Sequence, residues 1–557
     1  MSRRLSAHRS LRRMPVGDQG YLCVFLFGVA ILTVSLSIKA SYDAISAVER
    51  GKVFLGGSEA QDRWNHAGRD GVEKGTRWRG YGISPGENDD PSHSDTIPHD
   101  SRVAVHSRQE GGLATQQSRG IRVAEMRGNS GRANGSWQGV ANGIPSQPRG
   151  KDDIHLVFST DCTPYQNYQS LILFHSAETV EQMGPITRVA SGCSEDEKSS
   201  LTSIMAKQPE RFRIHFTPDY SIDPLTNAKY PFYNKPNGMA HFLRHADPPV
   251  QEAVLGLLDP DMVLVGKVTP YVGNDDLMLW QLTESKPEVD WVVEGKPVGQ
   301  FYGLSGNWVH WEDLPGITAQ LGEDSPARKV SIEDAENHLP VGPPYMMHPR
   351  DWTRLIDHWV GLAPYVNKGH PGILAEMYAF CIAAAHLGLM HRVAYGLMVS
   401  DAKMRQEGWP LIDKHKTEVC NEGFVEEHTA SIPPIIHYCQ MFRVGTFVFA
   451  KRHADHHSFF SCTSDALELP PPGYLAGPWG LLRIHPERRK GGAREEVPRA
   501  VSVRQGYVIC AVLRAMNSAL SAYKKRYCEG EEVSGGVRRF TDLSPAQLVK
   551  DYTAVAG

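Results

Sequence analysis

The stretch that most constrains this chain is 252–270, E-A-V-L-G-L-L-D-P-D-M-V-L-V-G-K-V-T-P, an apolar run that opens onto two aspartates and closes again. Val254, Leu255, Leu257 and Leu258 have the length and aliphatic content of a strand buried on both faces, which is how strands of parallel sheets read. That strand ends at Asp259-Pro260-Asp261. In open α/β sheets ligands lie at the carboxyl ends of the strands, so these two carboxylates face the crevice where a substrate would lie. Hard oxygen ligands two positions apart suit Mn²⁺ or Mg²⁺, which take one or two protein carboxylates and fill the other positions with water and phosphate oxygens. The expectation is a metal–nucleotide site. A bare D-x-D in a chain with 63 acidic residues is more often a polar turn, and it is the buried strand ahead of it that gives this pair weight.

Similar patterns lie on both sides. Residues 154–158 read as a first strand, 168–181 as an amphipathic helix through Leu171, Leu173, Phe174 and Val180, and 186–190 as a second strand, together one βαβ unit. A helix is expected at 238–245, ahead of the aspartate strand. Alternation of this kind predicts an α/β fold with a mostly parallel sheet flanked by helices. Farther on, 297–302 reads as a strand, 352–360 as a helix, and 372–386 as a helix with Leu374, Met377, Tyr378, Cys381, Ile382 and Ala385 on one face. Residues 435–438, I-I-H-Y, read as a short strand. After the break at Pro470-Pro471-Pro472 and a charged stretch at 487–498, a last helix over 503–526 is expected to pack back on the domain.

Arg3, Arg4, Arg9, Arg12 and Arg13 precede an apolar run at 21–38 that is longer than a usual signal-peptide core and just long enough to span a bilayer. Against Lys39, Arg50 and Lys52 after the run, this asymmetry predicts a type II signal anchor. Residues 1–20 would be a cytosolic basic tail, 21–38 the transmembrane span, and the rest lumenal, in the Golgi or endoplasmic reticulum. Small residues at 37–41 leave a cleaved signal peptide as the alternative, and either way the chain enters the secretory route. Residues 39–152 are rich in Gly, Ser, Arg, Asn and Asp without a sustained period, the composition of a disordered lumenal stem, and carry the sequon Asn134-Gly135-Ser136. The globular domain is expected over 153–472, with a C-terminal extension at 473–557. A formal net charge of −4 gives no argument for a nucleic-acid partner. Cys23 falls in the membrane run, and the other eight cysteines form an even set compatible with disulfides, of a connectivity the sequence leaves open. The absence of any C-x-x-C pair argues against a structural zinc site.

Several ordered motifs carry a resemblance. They are I-H-L-V-F-S-T-D-C through G-P-I-T-R-V-A-S-G-C at 154–193, Tyr233-Asn234-Lys235-Pro236, L-L-D-P-D-M-V, and Gly295-Lys296-Pro297-Val298. They continue with Pro340-Val341-Gly342, Glu376-Met377-Tyr378-Ala379, His437-Tyr438, Phe442-Arg443-Val444-Gly445 and Phe449-Ala450-Lys451, and the last helix adds Cys510, Asn517, Ala519, Leu520 and Cys528. In this order they resemble the plant and algal peptidyl-serine α-galactosyltransferases and their relatives, the hydroxyproline O-arabinosyltransferases. Serial agreement over 153–472 and the last helix is more specific than any one short motif.

The resemblance implies a GT-A glycosyltransferase: a Rossmann-like domain for a UDP-sugar, a divalent ion held by D-x-D, and transfer to a hydroxyl of a secreted or cell-wall glycoprotein. Asp261 would coordinate the ion directly and Asp259 would bind metal or ribose, the ion neutralising charge on the departing UDP. His437 is either a third ligand or a satisfied core histidine. Arg188 and Lys235, with Asn234 in the same turn as Lys235, would serve the diphosphate. Ser159, Thr160 and Asp161 end the first strand, where base and ribose would lie, although an ordinary strand-to-helix turn uses the same residues. Glu376 sits in an apolar helix, where a buried carboxylate is costly unless it works or is paired. It would orient the acceptor hydroxyl or stabilise positive charge at the sugar. Pro260 stands where relatives carry a small residue such as Ala, and removes one backbone donor near the diphosphate. The F-R-V-G…F-x-F-x-K stretch leans toward serine and UDP-galactose, while P-V-G-P-P-Y leans toward hydroxyproline and UDP-arabinofuranose. A non-catalytic protein that binds sugar or peptide is the reading of another class, and intact Asp259 and Asp261 argue against it.

Overall fold

The computed structural model describes residues 137–538, except 224–226, 228, 282–288, 314, 446, 453–458 and 478–498. The expected cytosolic tail and membrane span, the sequon and most of the stem lie outside the described residues, among which no helix is long and apolar enough to cross a membrane. The packed structure starts earlier than the expected 153. Gly139 N donates to Arg244 O (3.0 Å), Ala141 N to Val250 O (2.9 Å), and Ile144 is buried.

The fold is mixed α/β. Strands β1 (Ile154–Thr160), β2 (Ile186–Ser191), β3 (Phe212–Thr217) and β4 (Val254–Leu258) are mutually parallel, and the short β5 (Met262–Leu264) then leaves the sheet. With β6 (Val298–Phe301), β7 (Val341–Met347) and β8 (Arg392–Ala394) they form one seven-stranded sheet in the order β3-β2-β1-β4-β7-β6-β8. Only β7 runs against the rest, antiparallel to both β4 and β6. The aspartate strand β4 thus lies mid-sheet beside β1, buried along its whole length as its aliphatic run predicts. Sequence patterning misses β3, because an edge strand reading F-R-I-H-F-T fully buries only Phe212 and Thr217.

Strand β7 contains Pro343-Pro344, which ordinarily argues against a central strand. The register resolves the conflict. On β6, Gly299 faces Tyr345 but the next residue, Gln300, faces Gly342, so the two prolines bulge out of that ladder. On the other side the pairing with β4 stops at Tyr345. No ladder position therefore requires the N–H that proline lacks.

Helix α1 (Pro164–Thr179) starts four residues before its expected position, because the Thr163 hydroxyl accepts from Gln166 N and Pro164 takes the first helical position. Helix α2 (Glu195–Met205) opens on a complete capping box between Ser194 and Glu197. Helix α3 (Asn234–His245) also starts early, which turns the Y-N-K-P motif into a helix entrance. Pro236 is tolerated there because first-turn N–H groups have no helical partner. At Gly238 a β-carbon would meet Val189 at 3.0 Å, so glycine lets α3 lie close against the sheet. Helices α4 (Pro349–Gly369) and α5 (Ala375–His386) cover the same core as α3; α5 is buried all round, not on the single face expected. Trp352, Trp359, Tyr345 and Phe380 lock together there, each ring contributing about 2–3 kcal/mol of burial.

A second core gathers the last helix, α6 (Arg499–Tyr527), against α1 and a hairpin. Strands β9 (Met398–Val399) and β10 (Ile435–His437) join β5 in a small sheet, and β11 (Met441–Val444) pairs with β12 (Phe447–Ala450) as the hairpin. Six of the eight cysteines pair as Cys162–Cys193, Cys420–Cys510 and Cys462–Cys528, leaving Cys381 and Cys439 free. Cys510 within α6 and Cys528 just past its end tie that helix to the chain before it, and the first bond joins the turns that follow β1 and β2.

Candidate active site

At the carboxyl end of β4 the chain turns through Asp259-Pro260-Asp261 into β5. Pro260 occupies a turn position, where its fixed φ is favourable. Strand β10 pairs antiparallel with β5 so that His437 faces Met262, and Tyr438 N donates to Asp261 O (3.1 Å). This register brings His437 Nε2 to 3.2 Å from Asp261 Oδ1. One ligand atom each from Asp259, Asp261 and His437 lies within 4.8 Å of the others. Two carboxylates and one imidazole are a hard, mostly oxygen donor set, which fits a divalent cation such as Mn²⁺.

Two lysines hold the carboxylates. Lys235, in the first turn of α3, donates from Nζ to Asp259 Oδ1 (2.9 Å) and to Glu376 Oε1 (2.8 Å). Lys451, just after β12, is bonded to Asp261 Oδ2, and its backbone oxygen accepts from Tyr168 OH (2.6 Å). Tyr302, just past β6, lies 3.1 Å from His437 Nδ1, and its hydroxyl reaches Asp259 Oδ2 at 3.5 Å. Asp261 is 5% exposed. Burial opposes its charge, but the Lys451 ammonium and the His437 imidazole outweigh burial and hold its carboxyl well below the usual range. Burial likewise disfavours both lysine cations, yet Asp259 and Glu376 hold Lys235 up, and Asp261 does the same for Lys451. His437 is raised against its own burial by Cys439 and Asp261.

The remaining expected residues divide. Glu376, in the first turn of α5, is 1% exposed; burial pushes its carboxyl up despite Lys235, and its Oε2 is buried without a hydrogen-bond partner. It meets the site through Lys235 and not through open solvent, so its contribution is to position that lysine. Ser159, Thr160 and Asp161 do lie at the carboxyl end of β1, next to β4, with Phe158 in register with Leu258. Asp161 Oδ1 accepts from Thr163 N (2.9 Å) and Thr163 Oγ1 (2.6 Å), which is turn chemistry. Arg188 is buried beneath that turn: Nε donates to Thr160 Oγ1 (2.8 Å), and one terminal nitrogen donates to Asp161 O (2.8 Å) and Asn167 Oδ1 (2.7 Å). Burial pulls its guanidinium down to about 10. Arg188 therefore shapes the β1–α1 turn, in place of the direct diphosphate contact expected of it. Asn234 Oδ1 accepts from Tyr220 N (2.8 Å), and Ser159 Oγ donates to Asn234 O (3.4 Å), binding α3 to β1.

Lys451 and Tyr302 were missed as site residues. Lys451 stood only inside the F-V-F-A-K motif, while Tyr302 follows a strand's carboxyl end, the same rule that found Asp259.

No protein-family model matches the chain. Among curated proteins it is 26% identical over 311 residues to a peptidyl serine alpha-galactosyltransferase of Arabidopsis thaliana, covering 54% of this chain and 31% of that protein. It is 24% identical over 395 residues to one of Chlamydomonas reinhardtii, covering 67% of this chain and 43% of that protein. The chain thus spans less than half the length of the curated relatives it matches. Solved structures similar to it include the galactosyltransferase LgtC with donor and acceptor sugar analogs (12% identity, TM-score 0.26, 51% of this chain and 87% of that one) and the WbbM bifunctional glycosyltransferase (10%, TM-score 0.25, 54% and 47%). Superposition at that level assigns no fold, which rests on the sheet order above. By sequence, the chain is similar to two peptidyl serine alpha-galactosyltransferases over part of their length.

Proposed function

We propose that this chain is a metal-dependent glycosyltransferase of GT-A architecture that moves a sugar, galactose, from a UDP-sugar to serine hydroxyls of proteins on the secretory route. One observation carries the reading. Asp259, Asp261 and His437 converge within 4.8 Å at the carboxyl end of a buried strand in a largely parallel sheet. The choice of galactose and serine is supported by the names of the two curated relatives. The P-V-G-P-P-Y stretch that leaned toward hydroxyproline forms the bulged strand β7.

A bound Mn²⁺ would supply positive charge that stabilises the leaving diphosphate. The chain's own residues do the rest. Asp259, Asp261 and His437 would hold the ion. Lys235, anchored by Glu376, stands as a permanent cation beside Asp259 on the donor side. The turn after β1, held by Arg188 and by Cys162–Cys193, makes the wall for base and ribose. In charge terms, Asp259, Asp261 and Glu376 face Lys235 and Lys451, and His437 would ligate as a neutral imidazole. A divalent ion entering such a site calls for a negative partner, and a diphosphate is that partner. Three disulfides fit an oxidising compartment, and the arginine asymmetry at the N-terminus supports type II anchoring in the Golgi or endoplasmic reticulum.

The test is a donor and acceptor screen on the full-length chain in detergent. UDP-galactose and UDP-arabinofuranose are each offered with serine-bearing and hydroxyproline-bearing peptides, with Mn²⁺ or with EDTA. The expected result is Mn²⁺-dependent UDP release with a hexose added to the serine peptide. Pentose on hydroxyproline would transfer the reading to arabinosylation, and metal-independent release would remove the metal from it.

A further inference from the structure

Among the described residues Lys451 is the one strong cation on Asp261, and it sits on a carboxylate that a metal also needs. Asp261 offers two oxygens, and both are engaged by the chain itself, Oδ1 by His437 (3.2 Å) and Oδ2 by Lys451. His437 is a ligand-type group and stays when a cation binds. Lys451 cannot, since an ammonium and a divalent ion on the same carboxylate repel each other. We propose that Lys451 stands in for the cation in the metal-free protein and swings onto the nucleotide's diphosphate when metal and nucleotide bind. The inference rests on the transferase reading and gives this lysine two opposed effects within it.

The geometry supports a side-chain movement with a fixed backbone. The Lys451 carbonyl is held by Tyr168 OH (2.6 Å), and the residue before it closes the β11–β12 ladder opposite Met441. Moving the ammonium would take only turns about the four side-chain bonds of the lysine. Among the described residues, the groups acting on its ammonium are Asp261, Tyr165 and Cys439. Its side chain is only 13% exposed, and a buried ammonium needs a counter-charge. Among the described residues the neighbouring carboxylate, Asp259, already serves Lys235. The arriving diphosphate is therefore the anion to which a displaced Lys451 moves. Lys235 differs, because Glu376 remains its partner once a cation takes Asp259.

Full-length chain in detergent provides the test, with Mn²⁺ binding read from the free-ion EPR signal and UDP binding by calorimetry at saturating Mn²⁺. Lys451→Met should bind Mn²⁺ alone about tenfold more tightly than wild type, and UDP about tenfold or more weakly, the scale of one charge-assisted hydrogen bond. Lys451→Arg, which keeps the charge, should stay near wild type for UDP. Melting curves report folding, and Lys451→Gln carries the same comparison if the Met variant melts early. Mn²⁺ affinity that is unchanged or weaker, or UDP affinity that is unchanged, overturns the inference alone. A wild type that binds no Mn²⁺–UDP overturns the transferase reading and this inference with it.

Discussion

Asp261→Asn removes one negative charge at constant size from the centre of the site. At 3.2 Å and an effective dielectric near 20, the Asp261–His437 attraction is about 5 kcal/mol gross, and Lys451 adds to it. Burial of a carboxylate that is 5% exposed cancels much of that gain. Breaking a buried pair from one side typically costs about 3–5 kcal/mol, and the lower figure fits here because His437 can shed a proton. The melting temperature should therefore fall by about 5 °C while the fold survives. The functional loss should be larger. Charge stabilisation of a leaving group is commonly worth about 3 kcal/mol, which corresponds to roughly a hundredfold or more in rate. The assay is UDP release across a Mn²⁺ titration, with Asp196→Asn as control, since Asp196 is exposed in the first turn of α2. Full Mn²⁺-dependent turnover in Asp261→Asn, or wild-type turnover undiminished in EDTA, would refute the metal-dependent mechanism.

Glu376→Gln leaves Lys235 with Asp259 as its only carboxylate, so its ammonium competes harder for that oxygen. Mn²⁺ affinity should drop several-fold, roughly 1 kcal/mol, by EPR titration, and an unchanged affinity would show that Lys235 does not link the two carboxylates. Glu407 is buried and accepts from Ser400 N and Ser400 Oγ, both at 2.6 Å, and burial pushes its carboxyl up to about 7. A raised carboxyl keeps its proton in the fold when the unfolded chain has lost it, so this contribution is full below about pH 4.5 and is lost as pH rises through about 7. Chemical denaturation from pH 5 to 8 should show a fall of about 3 kcal/mol from this group that Glu407→Gln abolishes, and equal slopes in both proteins would disprove it. Replacing Cys420 and Cys510 by Ser frees a loop with a sequence separation of 90, and should cost roughly 4 kcal/mol by loop entropy, read as a lower denaturation midpoint. An unchanged midpoint would mean that this bond adds nothing to the hold of packing and of Cys462–Cys528 on α6.

Local pattern alone was enough for the strands and helices with strong periodicity and for the turn that carries Asp259 and Asp261. The V-L-G-L-L run is aliphatic because β4 is buried on both faces, and that cause acts on neighbours in sequence. A helix start was misjudged where a cap and a proline, not an apolar stripe, set the boundary, as at Thr163 and Pro164. Edge strand β3 and the bulged β7 went unrecognised as strands because their pairing partners, and not their own alternation, define them. In the site, His437 could be named from sequence but its role could not. It reaches Asp261 across 176 residues only because β10 pairs antiparallel with β5 in the register that sets His437 opposite Met262. Lys451, 190 residues from Asp261, and Glu376, 141 from Lys235, are likewise placed by a hairpin and a helix packed from elsewhere. A carboxylate's position at the end of a strand follows from a few adjacent residues. Which cation faces it depends on sheet register and helix packing, and those exist only once the distant segments have come together.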